Sequence, residues 1–165
     1  MSQPLAQVIE QALETSGVEW ELDKPGTYVV TLPGQRKLQT VAVLVIGEHA
    51  FTIEAFFIRR PDENADELYK FLLGRNAKMY GVAFAVDKTG DVFIVGHLPL
   101  AAITAEEVDR LLGCVLTYAD ENFDRALEIG FGSAIRREWA WRVSRGESLA
   151  NLQAFAAFAD PARNK

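Results

Sequence analysis

The stretch NADELYKFLLGRNAKMYGVAFAVDKTGDVFIVGHL, residues 64–98, constrains this chain more than any other. Its first third has a helical period, with Ala65, Leu68 and Leu72 on one face and Phe71 beside them. Asn64 with Glu67 three residues on is a capping-box pattern, so a helix is expected to start there. The period then changes. Tyr80–Val86 and Val92–His97 read as two strands, joined by the turn Asp87-Lys88-Thr89-Gly90-Asp91 with glycine where a positive φ is needed. In the first of them Gly81, Ala83 and Ala85 alternate with Tyr80, Val82, Phe84 and Val86. One face is therefore small, and a helix is expected to approach it closely.

Upstream, Leu5, Val8, Ile9, Ala12 and Leu13 share one side of a helix over residues 4–16, with Pro4 in its first turn and Gly17 at its stop. Val18–Leu22 is short and mixed. Three strands follow, Thr27–Leu32, Leu38–Ile46 and Ala50–Arg59, separated by Pro33-Gly34 and by Gly47-Glu48-His49. Such short turns imply an antiparallel meander. Val41, Val43 and Val45 oppose Ala42, Leu44 and Ile46, and Phe51, Ile53, Ala55 and Phe57 oppose Thr52, Glu54, Phe56 and Ile58. Neither face is clearly polar, so each wants a cover. The chain's own C-terminal part, a second subunit or a bound protein would each serve.

Downstream, Thr104-Ala105-Glu106-Glu107 is a second capping box. From it Val108, Leu111, Leu112, Val115, Leu116, Ala119, Phe123, Ala126 and Leu127 keep the helical period, and Gly130 is the expected stop. About 24 residues at the helical rise span ~36 Å, enough to cross a sheet. Phe131–Ala159 reads as two more helices, broken at Gly146, the second capped by Ser148 and ended by Asp160-Pro161. The expected fold class is α+β, a single antiparallel sheet of about five strands in the order α-β-β-β-α-β-β-α, plus C-terminal helices. A length of 165 residues fits one domain. It is expected over residues 1–160, with 131–160 a helical C-terminal extension and 161–165 a frayed tail.

The runs ELYKFLLGRNAKMYGVAFAVDKTGDVFIVGHLPL and TAEEVDRLLGCVLTYADENFD resemble the YbjN family of small bacterial proteins, and REWAWRVSRGESLANLQAF resembles the C-terminal part of its actinobacterial members. The resemblance covers residues 18–158 and rests on overall pattern. It implies a fold similar to that of type III secretion chaperones, which often dimerise. The family's label, "putative bacterial sensory transduction regulator", brings no biochemistry and no catalytic residues to carry over.

The residues themselves speak against several classes of function. Cys114 is the sole cysteine, which excludes an intramolecular disulfide and a multi-cysteine metal site. His49 and His97 lack metal-ligand spacing, and no serine elbow, phosphate loop or dinucleotide fingerprint is present. No cofactor and no catalytic residue is expected, and the chain is read as no enzyme. A net charge of −6 argues against nucleic acid as a partner. No apolar run approaches the roughly 18 residues of a membrane span, and no secretory signal opens the chain, so the expected location is cytoplasmic.

The charge is uneven. Residues 1–98 carry a net −4, residues 99–130 a net −5 and residues 131–165 a net +3. Asp120, Asp124 and Glu128 form a carboxylate line that reads as a solvated helix face, as part of a divalent-ion site, or as a lure for the basic tail. In that tail Arg136, Arg137, Arg142 and Arg145 flank Trp139 and Trp141, the residue types enriched in interface hot spots. The two tryptophans stand about 200° apart on a helix. Trp139 extends the Phe131–Ile135 stripe and is the core residue; Trp141 is the exposed one. The candidate partner or anion surface is therefore Arg136, Arg137, Trp141, Arg142 and Arg145. The expected function is a non-enzymatic, chaperone-like or regulatory protein that binds a polypeptide partner, with a homodimer as one way to cover the sheet. The alternative is a sensor that holds a small anionic ligand between the sheet and the Arg-rich C-terminal helices.

Overall fold

The structure is a computed structural model that describes residues 3–163. Helix α1 (Leu5–Ser16) leads into β1 (Glu19–Lys24), β2 (Thr27–Pro33), β3 (Gln39–Ile46) and β4 (Ala50–Ile58). Helix α2 (Ala65–Asn76), β5 (Ala83–Val86), β6 (Val92–Pro99) and the long α3 (Ala105–Arg145) follow. The six strands form one antiparallel sheet in the order β1-β2-β3-β4-β6-β5. The α+β class with C-terminal helices is as the sequence implied, with one strand more than about five. The added strand is β1, whose EWELDK sequence hides its character. It is an edge strand paired only to β2, so most of its side chains stay in water and its pattern is mixed.

Register decides which side chains share a face. Val30, Ala42, Ala55, Ile94 and Phe84 form one cross-strand row, and Tyr28, Leu44 and Ile53 lie in the next. All eight are buried. This inner face receives Ile9 and Leu13 of α1 and Val108, Leu111 and Val115 of α3, each 1% exposed or less. Each such side chain contributes about 1.5–3 kcal/mol by leaving water. Gly96 sits in the same layer, where a Cβ would come within 2.6 Å of the Gly81 carbonyl oxygen. At the end of β4 a bulge between Phe56 and Ile58 turns both Phe57 and Ile58 into the core.

Four expectations from sequence are corrected. Gly130 does not end α3, which runs on for 41 residues, ~60 Å. Gly130 keeps ordinary helical backbone and is small because Pro61 lies against it, a Cβ there falling 2.9 Å from Pro61 Cβ. The helix ends at Gly146, whose φ of 67° brings the Glu147 N–H to the Arg142 carbonyl and its own N–H to Val143. Second, the last expected helix is a 3-10 segment, Ala150–Phe155, followed by the single turn α4 (Ala156–Ala159). These fold back on α3, where Trp139, Phe155, Ala156 and Ala159 make a small second cluster. Residues 161–163 form a 3-10 turn, and residues 164–165 of the expected frayed tail lie outside the described residues.

Third, Asn64 makes no capping bond with its side chain. Its φ is 52°, and its Nδ2 donates to the Ile129 carbonyl of α3 instead. The second box does form in its main part, with Glu107 N–H donating to Thr104 Oγ1 at 3.1 Å. Fourth, of the small face Gly81, Ala83 and Ala85, only Gly81 is approached closely by a helix, a Cβ there falling 2.6 Å from Leu111 Cδ2 of α3, and no described helix lies against Ala83 and Ala85. Both point outward, while the large face, Val82 and Phe84, meets the core. The strand itself is shorter than expected and begins only at Ala83.

Candidate partner-binding surface

The side of the sheet away from the helices keeps its side chains open. Thr31 pairs with Val41, and across the sheet Phe56 pairs with Phe93 and Phe93 with Ala85, the Phe56–Phe93 pair standing just before the β4 bulge. Val29, Val43, Glu54, Val95 and Ala83 form the next row. Val45, Thr52 and His97 lie beyond. Val41 is 42% exposed and Phe56 43%, while Val29, Val43, Val45, Phe93 and Val95 are partly buried among their neighbours on the sheet. Phe56 and Phe93 meet edge to face at 5.6 Å, a rigid aromatic step on an aliphatic plane. Exposed Glu54 stands in the middle of the valines, and Glu19 and Glu21 on β1 add charge of the same sign at one margin.

The edges of the sheet are less available than its face. Asn76 at the end of α2 clamps β5, its Oδ1 accepting from Phe84 N–H at 2.7 Å and its Nδ2 donating to the Phe84 carbonyl at 3.0 Å. That amide takes the groups an added strand would use. The opposite edge, β1, carries Glu19, Glu21, Asp23 and Lys24 in water. On the inner side of that edge region the Tyr28 hydroxyl donates to Glu10 Oε1, and its pKa is pushed up to about 12, first by burial and then by that carboxylate.

The basic-aromatic residues singled out from sequence all lie on the distal third of α3, but they do not converge. Arg136 stacks on Phe158 at 5.1 Å, Arg142 donates through Nε to Glu138 and through Nη1 to the Ser148 carbonyl, and Arg145 lies over Trp141 at 5.1 Å. At 100° per residue, Arg137, Trp141 and Arg145 share one stripe, while Arg136 and Arg142 fall to either side. Trp139 is 3% exposed in the second cluster, and Trp141 is 47% exposed.

This distal segment is locked to the body by a polar joint. The loop after β4 donates Asp62 N–H and Glu63 N–H to the Gly130 carbonyl, and Glu63 accepts from Ser133 N–H at 2.6 Å and Ser133 Oγ at 2.7 Å. The Ser133 backbone and hydroxyl bonds hold the Glu63 carboxyl below its ordinary range against some desolvation, helped by Arg136 and Arg137. Arg59 grips Asp62 with both guanidinium nitrogens and lies 4.4 Å from the Phe131 ring.

The carboxylate line has separate tasks. Asp120 Oδ1 accepts the backbone N–H groups of Gln35, Arg36 and Lys37 and so holds the β2–β3 loop, while Asp124 pairs with Arg36 and Glu128 with Arg125. The line neither gathers ligands for an ion nor reaches the basic tail. Among the described residues no group of three or more His, Cys, Asp and Glu is arranged for a metal ion, and no helix is long and apolar enough to cross a membrane. The sequence marks the valine-rich face as apolar and in want of a cover, but not as the face that the helices leave open. The alternation of Val41, Val43 and Val45 was visible, but which of two apolar faces the helices take depends on register and helix placement.

A family model described as "Putative bacterial sensory transduction regulator" matches residues 5–128. The chain is 51% identical over 154 residues to "Uncharacterized protein Rv0487" of Mycobacterium tuberculosis, a match covering 90% of this chain and 84% of that one. Among solved structures, the Yersinia pestis type III secretion chaperone SycH, in complex with a stable fragment of YscM2, superposes with a TM-score of 0.53. Identity there is 18%, over 70% of this chain and 97% of that chain. The heterodimeric ExoU-SpcU complex from the type III secretion system of Pseudomonas aeruginosa gives 0.52 at 16% identity, over 75% of this chain and 98% of that chain. At such identities the likeness is one of fold.

Proposed function

The chain belongs to the YbjN family, and we propose from that premise that it is a non-enzymatic, chaperone-like or regulatory protein that holds a polypeptide against the open face of its sheet. The observation that carries this reading is the unsealed apolar plane of Val29, Val41, Val43, Phe56, Phe93 and Val95. A contiguous apolar patch on a soluble fold marks a contact surface. Glu54 at its centre favours a partner that brings a basic residue among apolar ones, because a buried carboxylate must be paired. Arg137 and Trp141, with Arg145 stacked on the indole, offer a second candidate anchor on the distal part of α3. The structural neighbours, a type III secretion chaperone in complex with a fragment of another protein and a heterodimeric complex from a type III secretion system, support the same class of role by analogy of fold. A second copy of this chain is one such polypeptide, and a homodimer through this face belongs to the proposal.

The test is capture of bound polypeptide by the tagged chain in its own cells, compared with a Val29→Glu/Val41→Glu double variant. Both positions face outward, so the variant is expected to keep its helix content and melting temperature. Two added carboxylates on the plane should reduce the captured polypeptide about tenfold or more, the effect of placing unpaired charge in a desolvated contact. A polypeptide retained equally by the folded variant, or none retained by the native chain, overturns the reading.

A further inference from the structure

Where β4 ends, α3 and the folded-back tail leave a cleft of about 480 Å3. Its walls are almost wholly apolar, built from Phe57, Phe123, Leu127, Phe131, Leu152 and Phe155. The β4 bulge makes it, by turning Phe57 and Ile58 inward together so that the sheet ends in aromatic surface. The 3-10 tail closes the far side through Leu152 and Phe155. The volume lies within the roughly 300–1,000 Å3 of small-molecule sites, which are mostly apolar with few polar groups that fix orientation.

Two cations stand among its lining residues, and they are not equivalent. Arg59 is already neutralised by its two bonds to Asp62. Lys37 is half-buried, lies 5.7 Å from the Phe123 ring, and gives one hydrogen bond, to the Gln39 carbonyl at 2.8 Å. Among the described residues no carboxylate reaches ion-pair distance of its Nζ. Asp120, its near neighbour, is engaged with the loop backbone, Lys37 N–H included. Desolvation lowers the Lys37 pKa, the mark of an ammonium held from water without a counter-ion. An ammonium has three donors, and a carboxylate arriving here would use the free ones.

We propose that this cleft binds a small apolar carboxylic acid, its hydrocarbon body between Phe123, Leu127 and Phe155 and its carboxylate on Lys37. The shape and the lone unpaired cation together select this class: a neutral apolar molecule would leave Lys37 unmatched, and a polar anion would leave the aromatic walls unfilled. The ligand site of this kind was expected between the sheet and the C-terminal helices with arginines as its anchors. The geometry moves the anchor to Lys37, since Arg136, Arg142 and Arg145 are engaged elsewhere and Arg137 does not line the cleft. The cleft shares Phe56 with the open face, but its anchor Lys37 and its walls from α3 and the tail lie off that face, so separate variants test the two sites.

Titration calorimetry of the full chain with decanoate, kept below its self-association range, tests this against decanol. Saturable one-to-one binding of decanoate is expected, at least about tenfold tighter than decanol, the effect of one charge-assisted hydrogen bond. Lys37→Gln should remove that preference and Lys37→Arg should keep most of it. Ala134→Trp, which fills the cleft from α3, should abolish binding of both probes, with Leu152→Trp as the second blocking variant should the first fail to fold by circular dichroism. Absent or non-saturating decanoate binding overturns the proposal. So does equal affinity for decanol, or affinity unchanged in a folded blocking variant.

Discussion

The same substitution at two glycines of one helix should have opposite signs. Gly130 and Gly113 both lie inside α3, and alanine at either position gains about 1 kcal/mol in helix propensity. At exposed Gly113 a Cβ meets nothing within 4 Å, so Gly113→Ala should stabilise by nearly that amount. At buried Gly130 the Cβ would stand 2.9 Å from Pro61 Cβ and 3.3 Å from Leu68 Cδ2. A proline ring cannot rotate away, so the loop after β4 must shift. Overpacking of this kind costs about 1–3 kcal/mol. The same shift weakens the bonds from Asp62 and Glu63 N–H to the Gly130 carbonyl, each contributing about 0.5–1.5 kcal/mol. After the propensity gain, Gly130→Ala should be less stable by roughly 2 kcal/mol, a gap of about 3 kcal/mol from Gly113→Ala. Urea unfolding at equilibrium, followed by far-ultraviolet circular dichroism, measures both. If Gly130→Ala matches or exceeds the native chain in stability, the close approach of Pro61 is not what keeps this position small.

Other expectations follow from single contacts. Asp120→Ala removes the acceptor of three backbone N–H groups and should destabilise by about 1.5–3 kcal/mol in urea, with faster hydrogen exchange confined to residues 34–38. Asn76→Ala leaves the Phe84 N–H and carbonyl unpaired at the β5 edge; it should cost about 1–3 kcal/mol and promote concentration-dependent association by light scattering. Glu63 has a folded pKa below its ordinary 4.5, so the stability it contributes is full above that pH and is lost as pH falls through the lower folded value. Glu63→Gln should therefore flatten the acid limb of the melting temperature below pH 4.5 and leave a constant deficit at neutral pH. An unaltered acid limb would place the coupling elsewhere.

Period and turn chemistry made most of the sheet legible from residues. The meander from Thr27 to Ile58 and the hairpin about Gly90 show alternation that survives because one face is buried throughout. β1 was not legible, because an edge strand in water has no apolar row to display. The length of α3 was misread for a different reason: a glycine after an apolar helical run signals a stop only when the backbone turns left-handed. Whether Gly130 does so is settled by Pro61, 69 positions away in sequence. Asn64 shows the same override, its amide taken by Ile129 in place of its own helix. At the candidate surface, helical spacing separated buried Trp139 from exposed Trp141, but it carried no information about which arginines are already committed. The apolar alternation of Val41, Val43 and Val45 was legible, but which face stays open depends on register and helix placement, and the cleft depends on a bulge and a folded-back tail, none of which has a local sequence signature.

The central claim is that the valine-rich face of the sheet holds a polypeptide. Site-specific photo-crosslinking in living cells tests it most directly, with a benzophenone side chain placed at Val43 on that face and, as control, at exposed Glu121 on α3. The account predicts a discrete protein adduct from Val43 that is absent from Glu121, with an adduct of twice the chain's mass identifying a second copy as the partner. No adduct from Val43, or the same adducts from both positions, would contradict it.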